Sequence, residues 1–406
     1  MKFPALTELD KDQEAIYEGA PRTGTILIVG PPGTGKTVIA FHRAHYLQGR
    51  GHQVKVLMFN KVLKHYTGRR DVADGVDVST VHSWANTWWR GFNGPAPGIP
   101  RVAGDRWEYD WGKIRERALL LLAQGKKPSA MAWGHLLIDE GQDFRPEMYG
   151  TLNFIMALVN GSNGTKPRKS DAITVLADDN QRLVEGRNST VEQIRQALLL
   201  HESDKNVFRL KKNYRNTKEI ARFAARFYVG NRSGIPLLPE KKGALPTVYT
   251  VGRDTEGKNL NAIADKIATY AKLRNEEIGV LVPDNKIRTS MRNRLRAKLG
   301  DRVKVQSYAA DDKSDPIEDL VFDEAGCITV LNYNSAKGLE FDAVFVVDPG
   351  RLVTASLPPL HLKMTLYVMC SRARTTLGLM LVKDNSLESL LEWIGPAEGL
   401  CKLEEL

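Results

Sequence analysis

The sequence predicts an α/β protein, parallel sheets flanked by helices and arranged as two lobes, and three observations predict it. Short apolar, β-branched runs recur between stretches of helical spacing, the alternation that yields a parallel sheet wrapped by helices. Residues 30–37 read GPPGTGKT and fit G-x-x-x-x-G-K-[ST], a loop that cradles phosphate between a strand and a helix. The alternation restarts after the polar stretch HESDKN (201–206), and 406 residues suit two lobes.

In the first lobe, expected over residues 1–203, TILIV (25–29) reads as a buried strand and VIAFHRAHYLQG (38–49) as a helix. That order is what the phosphate loop requires. VKVLMF (54–59), HLLID (135–139) and ITVLAD (173–178) read as further strands, RERALLLLAQG (115–125) reads as a helix, and a short insertion is expected over about 90–133. The second lobe, expected over 204–406, offers VFRL, the helical EIARFAARFYVG (219–230), EIGVLVP (277–283), CITVLNY (327–333), AVFVVD (343–348) and LGLMLV (377–382). It has no second phosphate loop. Segments 91–104, 160–171 and 309–319, rich in Gly, Pro, Asn and Asp, read as surface excursions.

Hydrophobic residues make up 42% and charged residues 26%, and no apolar run approaches the roughly eighteen residues of a membrane span. The start MKFPALTELDKDQE lacks the apolar stretch of a secretory signal, so a cytoplasmic location and no membrane partner are expected. Cys327, Cys370 and Cys401 form no C-x-x-C pair, which argues against a disulfide framework or a zinc cluster. A formal charge of +10 favours a polyanionic partner such as nucleic acid.

HLLI delivers Asp139 and Glu140 to a strand end, where one carboxylate can hold Mg²⁺ and a second can polarise the attacking water; Asp139 is assigned to the metal and Glu140 to the water. LADDNQ repeats the layout with Asp178 and Gln181. In open α/β sheets that edge is where ligands sit.

LDKDQEAI (9–16), GPPGTGKT (30–37), LMFNKVLKHY (57–66), VSTVHSW (78–84), LLIDEGQDF (136–144), LADDNQ (176–181), LKKNYRNTKEIA (210–221), NYNSAKGLEFDAVFVV (332–347) and YVMCSRAR (367–374) are similar, in order, to the motifs of the UvrD/Rep-type superfamily 1 DNA helicases. The resemblance runs from about residue 9 to residue 382. It implies two RecA-like P-loop domains with ATP in the cleft between them, Mg²⁺ as cofactor, and a single nucleic-acid strand lying across both. It gives Gln13 the adenine edge and Tyr214 the adenine ring. Gly30, Pro31, Pro32, Gly33, Thr34 and Gly35 would wrap the phosphates, served by Lys36 and Thr37, with Thr37 also on Mg²⁺. Gln181 would sense the γ-phosphate, Arg215 and Arg372 would act as arginine fingers, and Glu340 would approach the ribose.

By the same resemblance Phe59, Asn60 and Lys61 would touch one stretch of strand, Thr80, His82 and Ser83 another, and Asn332 and Asn334 a third. HSWANTWWRGF places Trp84 and Trp88 on one helical face, either as a stacking platform or as core; Trp107 and Trp111 are read as core. Three departures stand out. The third motif runs NQRLVEGRNS, with Val184 and Gly186 where the family has an aromatic stretch; the fifth begins Asn332-Tyr333-Asn334 rather than T-x-H; and Val38 follows the loop threonine in place of an arginine.

The gaps between motifs leave no room for large accessory domains, so the expectation is a near-minimal ATP-dependent motor on single-stranded DNA, 3′ to 5′ by family resemblance. RNA is not excluded as the track. Two alternatives lack intrinsic unwinding: a nucleotide-gated module that binds nucleic acid or protein, and the motor subunit of a nuclease or defence complex. A nuclease or a replication or repair factor would be its protein partner.

Overall fold

The computed structural model describes residues 9–59, 62, 65, 75–105, 107–163, 170–182, 188–230, 233–253, 257–309, 316–322, 324–354, 359–384 and 386–406. Two compact units divide the chain. One holds residues 9–30 with Lys36–Leu210; the other holds Pro31–Gly35 with Lys211–Leu406.

The first unit carries strands β1 (Gly24–Val29), β2 (Val54–Met58), β3 (Asp77–Thr80), β4 (His135–Ile138), β5 (Ala172–Ala177) and β6 (Val207–Arg209). They form one sheet in the order β3-β2-β4-β5-β1-β6, every pairing parallel. β4 and β5 are buried along their whole length, whereas the edge strands β3 and β6 are partly open. Strands covered on both faces are continuous apolar runs, which is why these two stood out in the sequence. Val207–Arg209, which the sequence groups with the second half, pairs with β1 in this sheet.

Helices α1 (Lys11–Tyr17), α2 (Lys36–Gln48), α3 (Val81–Asn93), α4 (Trp111–Ala123), α5 (Pro146–Asn163) and α6 (Val191–Ala197) belong to this unit. α1 opens on a capping box: Asp10 Oδ1 accepts from the Gln13 N–H at 2.9 Å, and Gln13 Oε1 accepts from the Asp10 N–H at 3.2 Å. Its other end is capped from α2, where the buried Arg43 guanidinium donates to the carbonyls of Ile16, Tyr17, Ala20 and Pro21. α3 starts at its N-cap Thr80 and turns Val81, Trp84, Ala85, Trp88, Trp89 and Phe92 into the core. Those positions recur at three- and four-residue intervals, the signature of one buried face.

The second unit carries β7 (Thr247–Val251), β8 (Ile278–Val282), β9 (Lys304–Tyr308), β10 (Cys327–Asn332), β11 (Phe341–Val347), β12 (Ala373–Val382) and β13 (Lys402–Glu405). Their order is β13-β7-β12-β11-β8-β10-β9, again all parallel. Helices α7 (Lys218–Ala224), α8 (Lys258–Leu273), α9 (Asn285–Leu299), α10 (Tyr333–Ala336), α11 (Gly350–Thr354), α12 (Pro359–Cys370) and α13 (Leu387–Ile394) accompany it. Gly279 in β8 lies so close to the Phe341 ring that an added Cβ would sit 2.4 Å from it, so close ring packing requires glycine there. The edge strand β13 is exposed throughout; Glu404 pairs with Lys266 at 3.0 Å, and Glu405 pairs with Lys383. Among the described residues no helix is long and apolar enough to cross a membrane.

Candidate functional site

Parallel register assembles the first cluster. Val29 lies beside Ala177 and Ile138 beside Val175, so the chain leaves β1, β4 and β5 on a common edge with Gly30, Asp139 and Asp178 next in line. α2 begins at Lys36, and its first turn sets Thr37 Oγ1 2.7 Å from Asp139 Oδ2, to which it donates. Lys36 Nζ donates to the Gly30 carbonyl at 2.6 Å and stands 3.8 Å from Asp178 Oδ2. Gly33 and Gly35 both have φ near +80°, values that favour glycine, and Thr34 Oγ1 closes the turn on the Pro31 carbonyl at 2.8 Å. A loop with two left-handed glycines thus stands beside an ammonium and a hydroxyl, the parts from which phosphate-binding loops are built.

The carboxylates are strained electrostatically. Burial, and then the neighbouring Glu140 charge, push the Asp139 carboxyl above its ordinary range, against the Thr37 hydroxyl and Lys36. Burial likewise raises Asp178, opposed by Lys36 and by hydrogen bonds from the Asn180 N–H and Gln181. Glu140 sits at φ 52, a left-handed turn that directs the chain away as soon as β4 ends. Gln181 Nε2 donates to Asp178 Oδ2 at 2.9 Å.

One residue here escaped the sequence reading. Gln142 donates from Nε2 to Glu140 Oε2 at 2.5 Å and accepts the Asp178 N–H on Oε1 at 2.9 Å, tying the ends of β4 and β5 together. Its position in DEGQD was the signal available.

Gln13, assigned to the adenine edge, is buried in α1 with Oε1 engaged in the capping box. In the second unit the Tyr214 N–H donates to the Gly33 carbonyl at 2.9 Å, and Tyr214 is 41% exposed. Pro32 lines a small cleft with Asn213, Asn216 and Ser371. Arg215 is ion-paired through Nε to Glu340 Oε2, and Arg374 reaches Glu277 at 3.0 Å and Asp342 at 3.2 Å. Burial alone would raise the Glu340 carboxyl; the positive charge around it, Arg215 foremost and Arg374 included, reverses this and holds it at about 2. Arg372 is buried, its Nη1 3.5 Å from the Leu339 carbonyl.

The residues assigned to strand contact fall into two groups. In the first unit, Thr80 caps α3 by accepting the Ser83 N–H at 3.2 Å, His82 Nε2 lies 2.7 Å from the Trp107 carbonyl, and Phe59 packs edge-on against Phe144 at 5.9 Å. Asn60 and Lys61, like Val184 and Gly186, lie outside the described residues. In the second unit, Asn332 caps α10 by accepting the Ser335 N–H at 2.8 Å and donates to Asn285 at 2.7 Å; Asn334 is exposed.

The tryptophans divide between core and surface. Trp84 and Trp88 stack on each other at 5.4 Å inside the core, with Trp133 edge-on to both, so the core alternative holds. Trp107 is not core but 61% exposed. The helical spacing of 107 and 111 misleads because Asp110 is the N-cap, and α4 starts only at Trp111.

Residues 12–187 match the model of an AAA domain, and residues 328–380 match that of the UvrD-like helicase C-terminal domain. These matches support a reading of the chain as a UvrD/Rep-type helicase. A protein of Acanthamoeba polyphaga mimivirus, "Putative ATP-dependent DNA helicase R568", is 27% identical over 227 residues. That match covers 53% of this chain, which spans only 29% of the relative's length. The solved C-terminal domain of a possible DNA helicase from Lactobacillus plantarum WCFS1 is 21% identical with a TM-score of 0.33, covering 47% of this chain and 99% of that one.

Proposed function

We propose that the chain is an ATP-dependent DNA helicase or translocase that tracks on single-stranded DNA, 3′ to 5′ by family resemblance. The observation that carries the reading is the cluster of Lys36, Thr37, Asp139, Glu140 and Gln181 on one sheet edge beside the phosphate loop. Backbone N–H groups of residues 30–37 and Lys36 bind the phosphates; Thr37 and Asp139, two hard oxygen donors 2.7 Å apart, fit a hydrated Mg²⁺. Bound there, Mg²⁺ would neutralise phosphate charge and relieve the raised proton affinity of Asp139. No cluster of three or more His, Cys, Asp or Glu among the described residues could hold a metal by itself, so the phosphates and water supply the remaining ligands.

Glu140, oriented by Gln142, takes the proton of the attacking water, while Gln181, held on Asp178, reports the γ-phosphate position. Arg215 and Arg372 supply guanidinium charge to the transferring phosphoryl, a contribution made in the transition state. The deciding measurement is steady-state ATPase with no nucleic acid, single-stranded DNA, duplex DNA and single-stranded RNA, with Lys36→Ala and Arg372→Ala beside it. Stimulation by single-stranded DNA, weakened by salt and lost in both variants, is expected. ATPase undiminished by Lys36→Ala would remove the site assignment, and a flat response to every nucleic acid would favour a partner-gated switch.

A further inference from the structure

The geometry points to a pocket in the first unit, walled by Trp107 and Tyr109, that takes one nucleobase of the bound single strand. No motif carries these two residues. They sit on a hydrogen-bonded loop between α3 and α4: Arg101 bridges Tyr109, the Val102 N–H donates to the Glu108 carbonyl at 3.0 Å, and the Asp110 N–H donates to the Pro100 carbonyl at 3.0 Å. The loop is fastened to α3 at two points. His82 Nε2 lies 2.7 Å from the Trp107 carbonyl, and the Tyr109 hydroxyl donates to the His82 carbonyl at 3.1 Å.

Between this loop and the ends of β2 and β4 lies a cavity of about 200 Å³ whose walls include Phe59, His82, Trp107, Tyr109, Phe144 and Arg145. An apolar cavity of about 150 Å³ accepts a benzene ring, so the volume suffices for a base. The walls are chemically matched to that occupant. Aromatic faces stack on any base without regard to sequence, and a guanidinium with carboxylates at the rim can meet base edges or phosphate. Arg145 stands 3.7 Å from Glu108 there, its side chain one-third exposed. Phe59 and His82 already belong to the two stretches assigned to strand contact, so the pocket opens on the expected track. Trp107 supplies the exposed ring that buried Trp84 and Trp88 do not.

The proposal rests on the single-strand reading above and deepens it. The test is fluorescence anisotropy with a labelled oligodeoxythymidylate and with an abasic oligonucleotide of equal length, which keeps the phosphates and lacks the bases. Wild-type protein should bind the intact strand at least about tenfold more tightly than the abasic one, the size expected of one or more stacked bases. Trp107→Ala should lose about tenfold on the intact strand and little on the abasic one, and Trp107→Phe should recover most of the loss. Because Trp107 is largely exposed, melting curves of both variants should match the wild type. Unchanged affinity in Trp107→Ala, or an equal loss on both strands, would overturn the pocket while leaving the motor reading intact. Absence of any strand binding, with ATPase still dependent on Lys36, would overturn the pocket and the DNA track together.

Discussion

Replacing Arg43 with methionine should unfasten the first helix from the helix that follows the phosphate loop. The Arg43 guanidinium is buried and donates to Ile16 and Ala20 at 3.2 and 3.3 Å, to Tyr17 at 3.4 Å, and to Pro21. Burial lowers its pKa to about 10, so it stays charged at neutral pH. Carbonyls at a helix end lack partners within the helix, and a cation there also answers the helix dipole. The Ile16 carbonyl keeps a second donor, the Ala20 N–H, which leaves three carbonyls to lose their donor. At roughly 1 kcal/mol each for a hydrogen bond lost, reduced because Tyr17 and Pro21 are only half-buried, the loss is about 2–3 kcal/mol. Urea unfolding followed by tryptophan fluorescence reads it, because six of the seven tryptophans (84, 88, 89, 107, 111 and 133) belong to the first unit. The midpoint should fall in Arg43→Met and partly recover in Arg43→Lys, and on the proposal that Gln13 of α1 meets adenine, ATP affinity should fall as well. A loss below about 0.5 kcal/mol would refute the capping argument.

Glu340→Gln should flatten the acid sensitivity of the second unit. A carboxyl held at about 2 in the fold stabilises the protein above its unfolded value near 4.5, and that stability disappears as pH falls through this window; the ceiling is about 3 kcal/mol. Denaturation midpoints between pH 5 and 3 should drop for the wild type and hold steadier for the variant, and equal slopes would show that the pair with Arg215 contributes nothing. Gly279→Ala should cost about 1–3 kcal/mol, because its Cβ would lie 2.4 Å from the Phe341 ring; an unshifted thermal melt would mean that the ring moves aside. Trp88→Ala should cost about 3–5 kcal/mol through the cavity left beside Trp84 and Phe92, measured on the first-unit transition, whereas a surface platform would lose far less.

What the sequence made legible followed from burial. β1, β4, β5, β8, β10 and β11 read as strands because both their faces are covered and their residues form unbroken apolar runs. The edge strands β3 (DVST) and β13 (KLEE), and the partly polar β9 (KVQSY), carry no such run. β6 was visible as VFRL, but its parallel partner lies about 180 residues earlier, and pattern alone does not choose between two sheets. The phosphate cluster was legible because motif spacing and parallel register together bring Lys36, Thr37, Asp139 and Asp178 to one edge. Arg43 acts through carbonyls on another element, and nothing in its local pattern announces that; for Gln142 the only local signal was its place in DEGQD. Trp107 was misread because its four-residue spacing from Trp111 imitates a helix that the Asp110 cap begins three residues later.

The exposed four-residue strand β13 guards against self-association. It occupies the open side of β7, whose Val248, Tyr249 and Val251 are buried. A variant that loosens β13, for instance by removing the charges that anchor it to Lys266 and Lys383, would bare a row of backbone donors and acceptors on β7 while leaving the rest of the sheet intact. Such a protein would fail first by templating strands from other copies, seen as concentration-dependent particles in light scattering well below its melting temperature.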